Sequence, residues 1–399
     1  MARRKDETDI ESGVIVQGIE QILRLAVTNK ASDIHIEPEY DRVRVRFRVD
    51  GVLREIEQHP ISLLDPMVSR IKVLANLDIA ERRRAQDGRF QLKIEDQELD
   101  VRVSVFPTIH GQNAVLRVLD KSTILVGLER LGMAEDDFAL YEQMITSPYG
   151  IIFVTGPSGS GKTTTLYSTL NKINTVEKSM VTLEDPIEYQ LPMVRQSQID
   201  PDAGLTFASG LRYLLRQDPD VILVGEIRDV DTAEIAVRAA LTGHLVLTTL
   251  HTNDSIGAIA RLTDMGIEPV LIASATIGVI AQRLVRTVCA RCAEPYQAPT
   301  ELLERLGLPN KKSVELVRAK GCEQCGYTGY RGRTGIFEIF LPDEELRQLI
   351  TSKASADVLT KISLQRGMKT LREHGWQKAL QKVTTVEEVL RVTSSAFTS

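Results

Sequence analysis

No part of this chain stays apolar for long. Runs such as GIIFVTG at 150–156 fall far short of the ~20 residues that a membrane-crossing helix requires. The first residues, MARRKDETDIESG, are basic but lead into no apolar core, so they do not form a secretory signal. Charge of one sign is not in excess either. The 49 Lys and Arg against 54 Asp and Glu leave a net charge of −5, which gives no global field for polyanions and makes nucleic acid an unexpected partner. Internal repeats and low-complexity tracts are missing. Cysteine is scarce, at four residues, and in a chain expected to be cytosolic these suggest metal rather than disulfides. With 399 residues, 43% of them hydrophobic, the chain can build two or three domains with sizeable cores.

Periodicity divides the chain. Helical spacing of Ile15, Ile19, Ile22, Leu23 and Ala26 predicts a packed helix in a leader over 1–30. Over 31–120 an α+β domain is expected, with alternating strands joined by a tight Asp50-Gly51 turn, a helix near 63–77, and further strands at 98–105 and 114–119. A linker and helix follow over 121–149. From 150 to 286 short hydrophobic strands (GIIFVTG, SMVTLEDP, DVILVGEI, HLVLTTLH) alternate with helices, the rhythm of an α/β domain with a largely parallel sheet. A cysteine-bearing insert over 287–335 and a helical region over 336–399 complete the chain.

Residues 156–163 satisfy G-x-x-x-x-G-K-[ST] between a strand and a helix, the context that gives this motif its meaning. Backbone N–H groups of Gly156, Pro157's successor Ser158, Gly159, Ser160 and Gly161 would wrap phosphates, with Lys162 reaching the β- and γ-phosphates, Thr163 holding Mg²⁺, and Thr164 following in the helix. Pro157 belongs to the same nucleotide-binding loop. ATP and Mg²⁺ are therefore the expected cofactors. Glu184 and Asp185 end the next strand, with Glu188 beyond, and acids at strand C-termini can hold Mg²⁺ waters or simply be solvated turn carboxylates. The following strand ends in Gly225-Glu226. Many P-loop enzymes carry an Asp where this chain has Gly225, so the metal must rely on Thr163 and, through water, on Glu184 or Asp185, leaving Glu226 as general base. His251 closes a further strand and is a candidate γ-phosphate sensor, with His244 at that strand's start.

The stretch DRVRVRFRVD places Arg42, Arg44, Arg46 and Arg48 on one strand face. Four aligned cations need acids or an anion opposite them. Arg46 and Arg48, with Arg117, are candidates to stabilise a transferring phosphate, and Arg212 and Arg216 are further ones; a solvated face is the plainer reading of each. Two C-x-x-C pairs, Cys289/Cys292 and Cys322/Cys325, have the thiolate pattern of a closed structural Zn²⁺ site, though the gap between pairs exceeds that of a compact ribbon. The basic, glycine-rich GYRGRTG at 329–335 follows them.

Together GPSGSGKTTTLY, EDPIEY, LRQDPDVILVGEIRD, TGHLVLTTLHTND, DMGIEP, AQRLVR and the C-x-x-C pairs with GYRGRTGIFE resemble the ATPases of type II secretion and type IV pilus assembly, and ASDIHIEP and RFRVDGVLRE resemble the domain preceding their core. The resemblance runs from about residue 12 to the C-terminus. It implies a PAS-like first domain and a RecA-like core with ATP at the junction of the two domains in a homo-hexameric ring. Glu184-Asp185 would be an aspartate box, Gly225-Glu226 an atypical Walker B in which Gly is usual, and 244–251 a histidine box. It also implies a motor peripheral to the inner membrane, driving assembly of pilin-like subunits through a polytopic platform protein and cytoplasmic partners. The cysteines favour an assembly or secretion motor over a retraction motor. Many relatives carry an additional N-terminal domain; its absence here would mean a truncated or a short natural form and puts docking through that domain in doubt. A DNA-uptake pseudopilus motor, a RecA-like nucleic-acid motor gripping DNA with its zinc module, and a non-enzymatic zinc-stapled module are the alternatives.

Overall fold

The computed structural model describes residues 2–94, 96–120, 126–306, 308 and 313–394. The chain divides into two compact units, 1–124 and 125–399. The start of the expected linker, 121–125, lies outside the described residues.

The first unit contains helix α1 (Ala2–Thr28), strands β1 (Ala31–Pro38), β2 (Arg42–Val49) and β3 (Val52–Pro60), helix α2 (Leu64–Leu74), and strands β4 (Gln86–Ile94), β5 (Gln97–Thr108) and β6 (Gly111–Asp120). Asp50 and Gly51 adopt φ of 50° and 82°. Two consecutive left-handed residues match the twist of a two-residue hairpin, and they join β2 to β3. The six strands form one antiparallel sheet in the order β3-β2-β1-β6-β5-β4. Strand β4 was not expected from the sequence, since QDGRFQLKI buries only Phe90 and Ile94 and so carries a weak period-two signal. Ile34, Ile36, Val43, Val45, Phe47, Val101, Val103 and Leu116 form a core with Ile19, Ile22, Leu23 and Ala26 of α1 and Met67, Val68 and Ile71 of α2.

The arginines of β2 alternate with its buried residues. Antiparallel register sets Asp33 opposite Arg48, His35 opposite Arg46 and Glu37 opposite Arg44. Glu37 accepts from Arg46 at 2.6 and 2.8 Å and lies 3.3 Å from Arg44. Glu39 pairs with Arg42 at 2.6 Å and with Arg44 at 2.9 Å. Asp33 holds Arg48 at 3.4 Å and, from β6, Arg117 at 3.1 Å. The anions that the arginine stripe requires are thus supplied by the neighbouring strand and by Glu39 just beyond it, in the manner of cross-strand pairs.

The second unit contains α3 (Glu135–Ile145), β7 (Gly150–Thr155), α4 (Lys162–Ile173), β8 (Met180–Glu184), β9 (Val194–Gln198), α5 (Phe207–Leu214), β10 (Val221–Val224), α6 (Val230–Leu241), β11 (Leu245–Leu250), α7 (Ser255–Asp264), α8 (Pro269–Ala275), β12 (Thr276–Val288), β13 (Ala293–Gln297), α9 (Thr300–Arg305), β14 (Glu315–Ala319), β15 (Tyr330–Phe340), α10 (Glu344–Thr351), α11 (Ala356–Gln365), α12 (Leu371–Leu380) and α13 (Val386–Thr393). Its seven-stranded sheet runs β15-β12-β7-β11-β10-β8-β9. All strands are parallel except β15, which pairs antiparallel with β12. Strands β7, β8, β10 and β11 are buried at every residue, as strands covered on both faces must be. Residues of α3 and α4 pack in the core on one face. Residues of α5 to α8, α10 and α11 form the core on the other.

Strands β12 and β15 extend beyond the sheet edge and carry the cysteine segment between them. Residues 286–287 lie within β12 and 335–336 within β15. Helix α13 locks this hairpin through Glu388, whose side chain is fully buried. It accepts from Arg286 Nη2 at 2.7 Å, the Arg286 backbone N–H at 3.0 Å, and Arg391 Nε and Nη2 at 2.7 Å each. Burial would raise the Glu388 carboxyl, but its bonds to Arg391 and Arg286 outweigh this and hold it below the usual carboxylate range. A depressed folded-state pKa contributes stability above the unfolded value, and that stability is lost as pH falls through the folded one. Glu388→Ala is expected to destabilise the unit by about 3–5 kcal/mol in denaturant titrations at pH 7, because it leaves the largely buried Arg286 without its carboxylate. The wild-type advantage over the variant should shrink as the titrations are moved below pH 4.

Candidate functional site

The loop after β7 has the shape of a phosphate cradle because its glycines occupy conformations closed to other residues. Gly156, Gly159 and Gly161 have φ of 147°, 76° and 91°. A Cβ at Gly156 would come within 2.4 Å of the Gln282 carbonyl oxygen, and one at Gly161 within 2.8 Å of Gln282 Nε2. Pro157, Ser158 and Gly159 are exposed at the loop's crest, while Ser160 turns inward and Thr164 is half-buried in the first turn of α4. Lys162 opens α4 and bends back over the loop, donating to the carbonyls of Gly156 at 2.7 Å and Pro157 at 3.1 Å. Burial pushes its ammonium pKa down, and the charge of Glu226 partly opposes this. The hydroxyl-bearing Thr163 is exposed beside it.

Parallel pairing brings the C-terminal ends of β8, β10 and β11 to the same edge as this loop. Glu226, just past β10, sits between a guanidinium and an imidazole. His251 Nε2 is 3.2 Å from its Oε2, and Arg228 bonds its Oε1. Arg228 also reaches Asp185 Oδ2 at 3.2 Å, joining the acids that follow two adjacent strands. Burial alone would raise the Glu226 carboxyl; Arg228 first, then His251, outweigh it and keep the group ionised. Gly225 lets β10 lie against β8, since a Cβ there would meet Leu183 O at 3.1 Å and the Glu184 Cα at 3.4 Å. An aspartate at this position would press on that backbone. Arg228 was not singled out in the sequence, although GEIRD places it two residues from the expected base.

Other expected residues take different places. Glu184 is buried and its oxygens are committed. It accepts from Thr182 Oγ1 at 2.5 Å, from Gln196 Nε2 at 3.0 Å, and from the Tyr167 hydroxyl on α4. Its carboxylate ties α4 to β8 and β9 instead of reaching into the crevice, so only Asp185 of that pair faces the Glu226 cluster. His244 stands at the opposite end of β11 from His251, seven residues and roughly 20 Å away by strand rise. Its Nδ1 lies 3.0 Å from the Ala239 carbonyl at the end of α6. His244 therefore lies away from the Glu226 group, at the end of β11 that meets the end of α6. Arg46, Arg48 and Arg117 belong to the other unit, where the acids of β1 account for them.

The four cysteines meet. Their Sγ atoms all lie within 4.8 Å of one another. Three of the separations are 3.9 Å (Cys289–Cys322), 3.8 Å (Cys292–Cys325) and 3.8 Å (Cys322–Cys325). A tetrahedron of thiolates about 2.3 Å from a central Zn²⁺ has edges of about 3.8 Å, so the donor set fits that ion. The long gap between the pairs is closed by an antiparallel ladder in which Ala293 pairs with Ala319, returning the chain to Cys322. Cys325 Sγ accepts from the N–H groups of Cys322 and Gly329 at 3.2 Å each. Burial would raise this thiol, but those donors pull it down to about 6.

Comparison with known proteins identifies the family. Residues 8–391 match the family described as "Type II/IV secretion system protein". The chain is 52% identical over 379 residues to the type II secretion system protein E of Pseudomonas aeruginosa, covering 95% of this chain and 75% of that protein. It is 49% identical over 382 residues to the type II secretion system ATPase E of Vibrio cholerae, covering 96% and 76%. To the type IV pilus assembly ATPase PilB of Thermus thermophilus it is 47% identical over 384 residues, covering 96% of this chain but 43% of that protein. Among solved structures, the pilus retraction motor PilT with bound ADP is similar at 25% identity and a TM-score of 0.61, covering 94% of this chain and 97% of that one. The chain belongs to the type II/IV secretion system protein family and is one of its ATPases.

Proposed function

We propose that this chain is the motor of a type II secretion machine, hydrolysing ATP at the crevice formed by the 156–163 loop, Glu226, Arg228, Asp185 and His251. The observation that carries the reading is Glu226, kept anionic between Arg228 and His251 and close enough to Lys162 for its charge to act on that ammonium. The loop amides and Lys162 hold the β- and γ-phosphates. Thr163 would hold Mg²⁺, which when bound neutralises charge on the phosphate oxygens. Glu226 orients the attacking water and takes its proton, while His251 and Arg228 keep the carboxylate aimed. Arg228 is well placed to exchange Glu226 for a phosphate oxygen when nucleotide enters, which would release Glu226 for the water.

The sheet with its glycine loop supports a RecA-like core, and the helix-backed sheet of the first unit supports a PAS-like domain. A homo-hexamer at the cytoplasmic face of the inner membrane, acting on a platform protein, is the assembly this reading entails. No helix among the described residues is long and apolar enough to cross a membrane, consistent with peripheral attachment through such partners. Type II secretion is favoured over pilus assembly because the two secretion relatives described above are 52% and 49% identical to this chain, against 47% for PilB. The four cysteines would hold Zn²⁺ as a structural staple.

Glu226→Gln is expected to bind ATP as the wild type does and to lose turnover by roughly 10²–10⁴-fold. Normal turnover would remove Glu226 from its role. Cys322→Ser should reduce metal content, read by elemental analysis of the purified protein, from about one Zn²⁺ per chain to near zero and lower the melting temperature. In the host, a strain lacking this chain should retain pili and trap export substrates in the periplasm; lost pili with normal export would make it a pilus motor instead.

A further inference from the structure

The AQRLVR segment at 281–286 lies in β12 and has no part in the chemistry described above. Along this strand Ile280 packs in the core with Leu166 and Tyr167 of α4, so Gln282, two residues on, faces the same helix. Register pairs Ala281 with Thr155, which brings Gln282 level with the start of the phosphate loop. Gln282 is only 2% exposed. Its Oε1 accepts from Thr165 Oγ1 at 2.7 Å, and Thr165 is itself fully buried in the first turn of α4. Its Nε2 occupies the space that a Cβ on Gly161 would need, and its backbone carbonyl the space that a Cβ on Gly156 would need. One residue therefore contacts the first glycine of the loop, the last one, and the helix that follows. A buried primary amide is costly unless its polar atoms are used, and leucine would fill a similar volume without that cost.

We propose that Gln282 is the positioning residue of the phosphate cradle, acting through Gly161 and Thr165 to set where the loop amides point. This rests on reading 156–163 as the nucleotide site. The test measures Mg²⁺-ADP and Mg²⁺-ATP affinity by calorimetry on the full chain and on Gln282→Leu, Gln282→Glu, Thr165→Val and the Gln282→Leu/Thr165→Val double variant, with melting temperatures alongside.

Gln282→Leu and Thr165→Val should each weaken both nucleotides roughly tenfold, and the double variant should be no weaker than the poorer single one, because the two act as a unit. Gln282→Glu retains an acceptor for Thr165 but sets a carboxylate against the loop. Its affinity should be low at pH 8 and approach that of wild type, measured in parallel, by pH 6, since bound phosphate and burial both favour the protonated acid. Unchanged affinities, additive losses in the double variant, or a Gln282→Glu defect independent of pH would overturn the proposal. Should the leucine variant fail to fold, the pH profile of the glutamate variant decides alone. Wild-type protein that bound neither nucleotide would instead refute the site itself.

Discussion

Parallel pairing is the constraint from which the site follows. When strands run in one direction, every crossover returns the chain to the same edge, and all strand C-termini open there. Here that places the end of β7 with its loop, the end of β8 with Asp185, the end of β10 with Glu226 and the end of β11 with His251 along one line. Four segments separated by tens of residues are gathered without any one of them being bent for the purpose. The same rule puts His244, just before β11, at the other end of that strand. The sheet is rigid because those strands are buried at every position, so the crevice inherits the precision of a packed core.

Charged residues in both units are matched locally. The arginines of β2 meet the acids of β1, Glu226 meets Arg228 and His251, and Glu388 meets Arg286 and Arg391. The exposed members of these sets add little to stability, whereas the buried Glu388 cluster joins α13 to the edge hairpin that bears the cysteines. Glu184 shows a related use of a buried acid. Held by three donors, it braces α4, and so the phosphate loop, from behind. The crevice is thus supported on two sides, by Glu184 through Tyr167 and by Gln282 through Thr165.

Much was legible in advance. The strand–glycine loop–helix order located the phosphate cradle, because only glycine fits a backbone turning at φ of 76–147° beside β12. Alternation over 31–60 revealed β1 to β3 and the turn between β2 and β3. The hydrophobic runs of β7, β8, β10 and β11 announced a two-sided parallel sheet. Strand β4 escaped notice because so few of its residues are buried, and Arg228 because a single arginine beside an acid carries no pattern.

Residue types and their local spacing were sufficient for what is built from consecutive residues: loop, strands, turn and paired thiols. Register, strand order and burial decided what each candidate does. They set the acids of β1 against the arginines of β2, turned Glu184 inward to Tyr167 while Asp185 stayed at the crevice, and sent His244 and His251 to opposite ends of β11. A sequence lists the charged groups, but distances across a sheet, which no local pattern encodes, determine which charges meet.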